Sequence, residues 1–425
     1  MQELFHFDKP ILDAAARAME NSREQFAQID RVTEYNQCKM LKAFIDNGVS
    51  ESHFAASTGY GYGDRGREVI DAVFAQAVGA EDALVRHNFV SGTHTLTVAL
   101  FGVLRPGDTM LSVTGLPYDT LHGTIGLDEK STGTGTLRDF GIHYKQVDLT
   151  AEGKPDLPAI ERAVEPGLRM AYIQRSRGYS LRPSLRVEEI AEIVRVVRKK
   201  APDCIIMVDN CYGEFVQEQE PVSVGADLIA GSLIKNPGGG IAPTGGYIAG
   251  RHDLVKLCAG RLTTPGLGRE LGATLGHSRE LFMGIFNAPH VTGEALKTAV
   301  FTAELFASFG YRVTPRPGEV RGDIIQAVVL ENAPGLIAFC KGMQQGAPVD
   351  SFVTPEPWDM PGYDSKVIMA AGAFTNGASV ELSADGPLRE PFAAWMQGGL
   401  NFHSAKTGVM LAAQSMLNAG TLKNT

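Results

Sequence analysis

Apolar positions along this chain recur with two periods in turn, and that alternation predicts the architecture. Residues 1 to about 48 place Ile11, Ala14, Ala15 and Ala18 at helical spacing, which predicts a helical N-terminal arm. The pattern Val69, Ile70, Val73, Phe74, Ala77 predicts an amphipathic helix over 68–79. Short apolar runs and helical stretches then take turns. Strands are expected at about 83–90, 109–113, 142–148, 168–174, 205–208 and 246–249. Helices are expected at 95–104 and at about 156–164, 186–200, 252–260, 268–284 and 292–309, with 264–268 and Ala288-Pro289-His290 as loops. Strands alternating with helices imply a mainly parallel sheet covered on both faces.

The last third of the chain changes character. Runs at 312–314, 324–330, 367–371 and 379–383 read as strands, and 334–346 and 399–418 as helices. This is the pattern of a second, smaller α+β domain. Residues 348–362 are proline-rich and aperiodic, so a long surface loop is expected there. The domains are thus expected at 1–58 (helical arm), 59–290 (large) and 291–425 (small).

Composition narrows the class. A net charge of −9 and no basic stripe with interleaved aromatics argue against nucleic acid as partner. No apolar run approaches the roughly 20 residues a membrane helix needs. Five scattered cysteines without a C-x-x-C pair read as free thiols in a reducing compartment, with no metal site. The start Met1-Gln-Glu-Leu-Phe-His lacks the features of a secretory signal. A cytoplasmic protein is expected.

Candidate chemistry centres on Asp227-Leu-Ile-Ala-Gly-Ser232-Leu-Ile-Lys235-Asn-Pro-Gly-Gly-Gly240, an apolar run that delivers one lysine to a glycine-rich turn. A lysine ending a buried run is costly unless paired, neutral or covalently modified. Upstream, Ile205-Ile-Met-Val208 ends in the carboxylate of Asp209. A lysine to form a Schiff base and an acid to keep a pyridinium nitrogen protonated are what pyridoxal phosphate (PLP) chemistry requires. Taken singly, Lys235 reads as a surface lysine and Asp209 as a helix cap. Together, followed by three glycines that leave room for a planar ligand, they point to PLP.

Other residues add to this. Ser91-Gly92-Thr93 between a strand and a helix offers backbone N–H groups and a helix N-terminus to a phosphate, and Ser91 alone is a good N-cap. Tyr118 follows a strand and reads either as a ring against a planar cofactor, with a hydroxyl for proton transfer, or as a plain turn aromatic. In a parallel sheet, ligands bind beyond the carboxyl ends of the strands, where Ser91, Tyr118, Gln174, Asp209 and Lys235 would all fall. The loop Ser57–Arg67, rich in Gly and Tyr, reads as an ordinary connection or as one presenting phenols and guanidinium groups outward. For a substrate carboxylate the first candidate is Arg389, presented by an Asp-Gly-Pro turn, with Arg316 and Arg177 as rivals. Cys211 reads as a small buried filler rather than a nucleophile.

With these residues in place, the chain resembles the fold-type-I PLP enzymes, and most of all the methionine gamma-lyase-related family also called aluminium resistance proteins. The motifs that carry the resemblance are Tyr60-Gly-Tyr62-Gly-Asp-Arg65-Gly-Arg67, Ser91-Gly-Thr-His94, Gln174-Arg-Ser-Arg-Gly178, Val208-Asp-Asn-Cys-Tyr-Gly-Glu-Phe215, Ala230–Gly240, Val367–Ala371 and Glu381–Arg389. The resemblance implies a mainly parallel seven-stranded sheet in an α/β large domain plus a smaller C-terminal domain. It implies PLP bound by Lys235, Asp209, Ser91, Gly92, Thr93, Tyr118 and Ser232. It also implies a homotetramer built from dimers, in which Tyr62 with Arg65 or Arg67 of a neighbouring subunit grip the phosphate. Arg389, Arg177 and Gln174 are the implied substrate-binding positions. Wider relatives place a threonine before the lysine, where this chain has Ile234, and an Asn-Pro where it has Arg175-Ser-Arg177.

The expected activity is elimination of a β- or γ-substituent from an amino acid such as methionine or cystathionine, with carbon–sulfur cleavage. Lys235, Asp209 and Tyr118 would be the catalytic groups. Aminotransfer, or a PLP-holding protein of metal-stress tolerance without robust turnover, remain open alternatives.

Overall fold

A computed structural model describes residues 4–360 and 365–423. The chain forms two compact units, one comprising Tyr35–Ala288 and the other Met1–Glu34 with Pro289–Thr425. The expected arm over 1–58 is therefore not a body of its own. Its apolar stripe (Ile11, Ala14, Ala18) belongs to the same core as Phe301, Phe306 and Phe339, while its later residues, such as Met40 and Ala43, join the core of the sheet unit.

Helices α1 (Lys9–Asn21), α2 (Arg23–Asp46) and α3 (Arg65–Val78) lead into an alternating series. This runs β1 (Asp82–Arg86), α4 (Gly92–Val103), β2 (Thr109–Ser112), α5 (Asp119–Ile125), β3 (His143–Gln146) and α6 (Leu157–Ala163). It continues with β4 (Met170–Gln174), α7 (Val187–Lys200), β5 (Ile205–Asp209), β6 (Leu228–Ser232), β7 (Gly246–Gly250) and α8 (His252–Leu262). Among the described residues the strands form one seven-stranded sheet in the order β1-β7-β6-β5-β4-β2-β3. All its pairs are parallel except those of β7, which runs antiparallel to both β1 and β6. Strands β4, β5 and β6 are buried along their whole length, as their unbroken apolar runs demand. Alternate residues feed two cores: Ile206, Val208 and Ile229 face Phe74 and Ile190, while Met207 and Ala230 face Leu96 and Val255.

Helix α9 (Ser278–Ser308) corrects one expectation, because Ala288-Pro289-His290 is not a loop. Buried Leu281, Phe282, Ile285 and Ala288 run on in phase to Val291, Ala295 and Ala299. That continuous stripe outweighs the one hydrogen bond Pro289 removes.

The second unit holds β8 (Arg312–Thr314), β9 (Gln326–Val329), α10 (Ala333–Gln345), β10 (Val367–Ala371), β11 (Ser383–Pro387), β12 (Ala393–Gln397) and α11 (Phe402–Asn418). Its strands form an antiparallel sheet in the order β10-β11-β12-β9-β8. Phe339, Met343, Val409 and Ala413 of α10 and α11 pack with Ala384, Ala394 and Met396 on one face. The strand expected at 379–383 lies four residues later, so Asp385-Gly386-Pro387 is strand and not the turn expected to present Arg389. Pairing with β10 on one side and β12 on the other overrides the local turn chemistry. Strand β12 carries no strong β pattern, and the sequence did not reveal it. Of the loop expected at 348–362, residues 361 and 362 lie outside the described residues; the rest holds one isolated bridge, Trp358 to Val367.

Candidate active site

Three adjacent parallel strands end together. Gln174 closes β4 and is the register partner of Asp209, which closes β5; Asp209 in turn pairs with Ala230 of β6, two residues before Ser232. Helix α4 begins at the same edge. Ser91 is its N-cap and accepts a hydrogen bond from His94 N at 3.0 Å. Gly92 lets that turn come close, since a Cβ built there would lie 3.4 Å from Ser232 Cβ and 3.8 Å from Cys211 Sγ. The first-turn N–H groups of a helix have no partner inside it, so this end of α4 is an anion site in waiting. Ser232 Oγ, on a side chain 1% exposed, has no hydrogen-bond partner among the described residues.

Lys235 leaves the end of β6 half-buried, with its Nζ 4.1 Å from the centre of the Tyr212 ring. Burial works against its charge, but Cys211, Tyr212, Asp209 and Glu214 together more than offset this and hold the ammonium well above the ordinary lysine pKa. Gly238 and Gly239 after it serve the backbone and do not make room for a ligand. A Cβ on Gly238 would lie 1.6 Å from the Leu233 carbonyl oxygen, and one on Gly239 2.5 Å from that of Gly284 in α9. The turn folds back on its own strand and packs flat against that helix.

Asp209 is buried. Its Oδ1 accepts from Cys211 N at 3.1 Å, and Tyr172 Oη, two residues before Gln174 on β4, donates to Oδ2 at 3.5 Å. Burial pushes its carboxyl above the usual range while the Lys235 charge pulls it back. Burial also raises the Cys211 thiol far above its ordinary value, which suits the filler reading and not a nucleophile.

Tyr118 is half-buried at the start of α5, its ring 6.3 Å from that of Tyr179. A Cβ on Gly178 would lie 3.4 Å from both the Tyr118 ring and Gln174 Nε2, which places those two side by side. Gln174 Nε2 donates to Ser176 O, and its buried Oε1 has no partner among the described residues. Thr93 shares a hydrogen bond of 2.6 Å with Thr120.

The glycine-tyrosine loop separates its two arginines. Tyr60 and Tyr62 are exposed and stacked at 5.5 Å, and Arg65 is exposed beside His53. Arg67 is 2% exposed and donates to the carbonyls of Gly61 (2.8 Å), Gly272 (2.7 Å) and Glu270 (3.3 Å). Both its Nη atoms are committed to carbonyls of its own chain, which leaves Arg65 as the exposed arginine of the loop. Arg177 is buried, and Arg389 is exposed just beyond β11.

Sequence reasoning missed the polar layer on the other side of the sheet edge. Arg175 is fully buried, with Nη1 donating to Asn210 Oδ1 at 2.8 Å and to Glu220 Oε2 at 3.2 Å. Asn210 Nδ2 bonds Glu220 Oε2 (3.0 Å) and Tyr247 Oη (3.3 Å), and Tyr247 Oη donates to Glu214 Oε1 at 2.8 Å. Burial pushes Glu214 up to about 8. The signal available was alternation: Asn210 and Arg175 each follow a site residue by one position and so point to the opposite face.

These residues fit PLP. The unpartnered Ser232 hydroxyl beside the α4 N-terminus suits its phosphate, Asp209 suits its ring nitrogen, and Lys235 suits its aldehyde. The fold is that of the fold-type-I PLP-dependent enzymes. The methionine gamma-lyase family profile matches residues 11–417, and the chain belongs to that family. It is 47% identical over 390 residues to the uncharacterized protein YnbB of Bacillus subtilis (strain 168), covering 92% of each. A solved structure named as a carbon-sulfur lyase involved in aluminum resistance, from Clostridium novyi NT, superposes with a TM-score of 0.93 at 50% identity, over 97% of both chains. The L-methionine gamma-lyase of Pseudomonas putida is 29% identical over 219 residues, 51% of this chain and 47% of that one. Among the described residues no group of three or more His, Cys, Asp or Glu side chains could hold a metal ion, and no helix is long and apolar enough to cross a membrane.

Proposed function

We propose that the protein is a PLP-dependent lyase that removes a sulfur-bearing β- or γ-substituent from an amino acid such as cystathionine or methionine. The observation that carries this reading is the placement of Lys235 and Asp209 at the ends of neighbouring strands, with Ser232 and the α4 N-terminus beside them. When bound, PLP supplies an electron sink for the substrate's α-carbon. Asp209 keeps a proton on the ring nitrogen, and Tyr172 and Cys211 N fix its carboxylate in place. Lys235 Nζ takes the α-proton and returns it, and the Tyr212 ring gives its ammonium a resting place. Tyr118, at the strand edge, is the second acid–base group. Arg389 is our first candidate for the substrate carboxylate, since its guanidinium is exposed; Arg177 and Gln174 are the other substrate-binding positions.

The exposed pair Tyr62 and Arg65 supports a dimer whose sites are shared, with a tetramer of two such dimers as the assembly. We place the enzyme in the cytoplasm because its five cysteines are free thiols. The test is a screen of the purified holoenzyme against sulfur amino acids, following keto-acid and ammonia release. Release of both from cystathionine or methionine supports the lyase. Amino transfer to an added keto acid, or a bound cofactor that reacts with none of them, would replace this reading with another.

A further inference from the structure

Ser278, the first residue of α9, and Arg67, in the first turn of α3, line one cavity of about 20 Å³ in the sheet unit. That is slightly more than the roughly 10–15 Å³ a single water needs. Two of the lining residues carry a buried donor without a partner among the described residues: Arg67, 2% exposed, at Nε, and Ser278, 3% exposed, at Oγ. Buried polar groups in folded proteins nearly always have partners, so two such groups on one small cavity call for a ligand.

The electrostatics specify its sign. The lining contains two guanidinium groups, Arg67 and Arg86, and no carboxylate. Arg86 is neutralised by Asp71, which takes its Nη1 at 2.6 Å and Nη2 at 2.8 Å. The Nη atoms of Arg67 meet only backbone carbonyls; Asp64, whose charge acts on it, accepts from its backbone N–H and from Thr274 and not from the guanidinium. The positive end of the 31-residue helix α9 adds to the potential at Ser278. Two nearby acceptors already take a hydrogen bond: the Gly272 carbonyl from Arg67, and the Ala273 carbonyl from His87 Nε2 at 2.8 Å. A monatomic anion has no hydrogens of its own to place beside these donors.

We propose that this cavity binds a halide ion, held by Arg67 Nε and Ser278 Oγ. The ion would fix the guanidinium that ties Gly61 to Gly272 and Glu270, and so brace the loop carrying Tyr60, Tyr62 and Arg65.

The direct test needs no variant. Crystals of the holoenzyme grown in sodium bromide should show an anomalous peak in contact with both Arg67 Nε and Ser278 Oγ. In solution, Tm in sodium chloride should exceed Tm in sodium gluconate of equal ionic strength, by about 2 °C for each tenfold rise in chloride beyond saturation. Ser278→Asp places a carboxylate where the ion would sit. It should abolish the chloride response and melt in gluconate as the unmodified protein melts in chloride. An absent bromide peak, equal Tm values in the two salts, or a chloride response that survives intact in Ser278→Asp would each overturn the proposal.

Discussion

The Lys235 ammonium rests 4.1 Å from the centre of the Tyr212 ring. A cation over an aromatic face is worth about 0.5–1 kcal/mol where it is partly exposed. Tyr212→Phe should therefore keep most of kcat, while Tyr212→Leu should lower it roughly two- to five-fold. Steady-state kinetics on the best substrate from the screen decides this, and equal rates for Phe and Leu would remove the ring from the mechanism.

Lys235→Ala should remove the visible absorbance of lysine-bound PLP and all measurable turnover, with circular dichroism unchanged. Borohydride reduction followed by peptide mass mapping should find PLP on Lys235 in the unmodified protein. Labelling of another lysine would refute the assignment.

Asp209→Asn should still bind PLP, because Lys235 and Ser232 are untouched, but should lose at least about 100-fold in kcat. A neutral amide cannot hold the ring proton. Near-normal turnover would reduce Asp209 to a strand-end residue that accepts from Cys211 N and Tyr172.

The two arginines of the glycine-tyrosine loop should separate cleanly. Arg67→Met leaves the carbonyls of Gly61, Gly272 and Glu270 without their buried donor, at a cost of about 3 kcal/mol in urea unfolding. Arg65→Ala should leave Tm within about 1 °C and instead weaken PLP binding in a shared-site dimer. Mixing inactive Lys235→Ala with Arg65→Ala subunits should then restore part of the activity. Confirmed exchange without recovery would rule the shared site out.

Glu214 gives a pH prediction. Its carboxyl is pushed up to about 8 in the folded chain by burial, and it returns to the ordinary carboxylate range on unfolding. Between those values the folded state holds the proton and the unfolded chain does not, so stability falls as pH rises through that window. Glu214→Gln keeps an acceptor for Tyr247 and should flatten the fall. Urea midpoints at about pH 5 and pH 8 measure it, and an unchanged slope would place the effect elsewhere.

Much of this protein follows from sequence alone, because hydrophobic period is a local property. Most of the strand and helix alternation from β1 to β7 (the short helix α5 excepted), the strand-end positions of Gln174 and Asp209, and Lys235 just past β6 came from runs of a few residues. What needed the tertiary structure were choices between residues of equal local standing. Arg65 and Arg67 look alike in sequence, and only the loop at 270–272, some two hundred residues away, takes Arg67 inside. Arg175 reads in sequence as one more arginine of its motif, and only the distant Glu220 gives it a buried ion pair. The glycines at 238 and 239 are required by the backbones of Leu233 and Gly284, which no local reading could bring together. Strand β12 and the shift of β11 likewise arise from cross-strand pairing. Pairing partners and burial are set by residues far off in the chain, so they become visible only once the chain is folded.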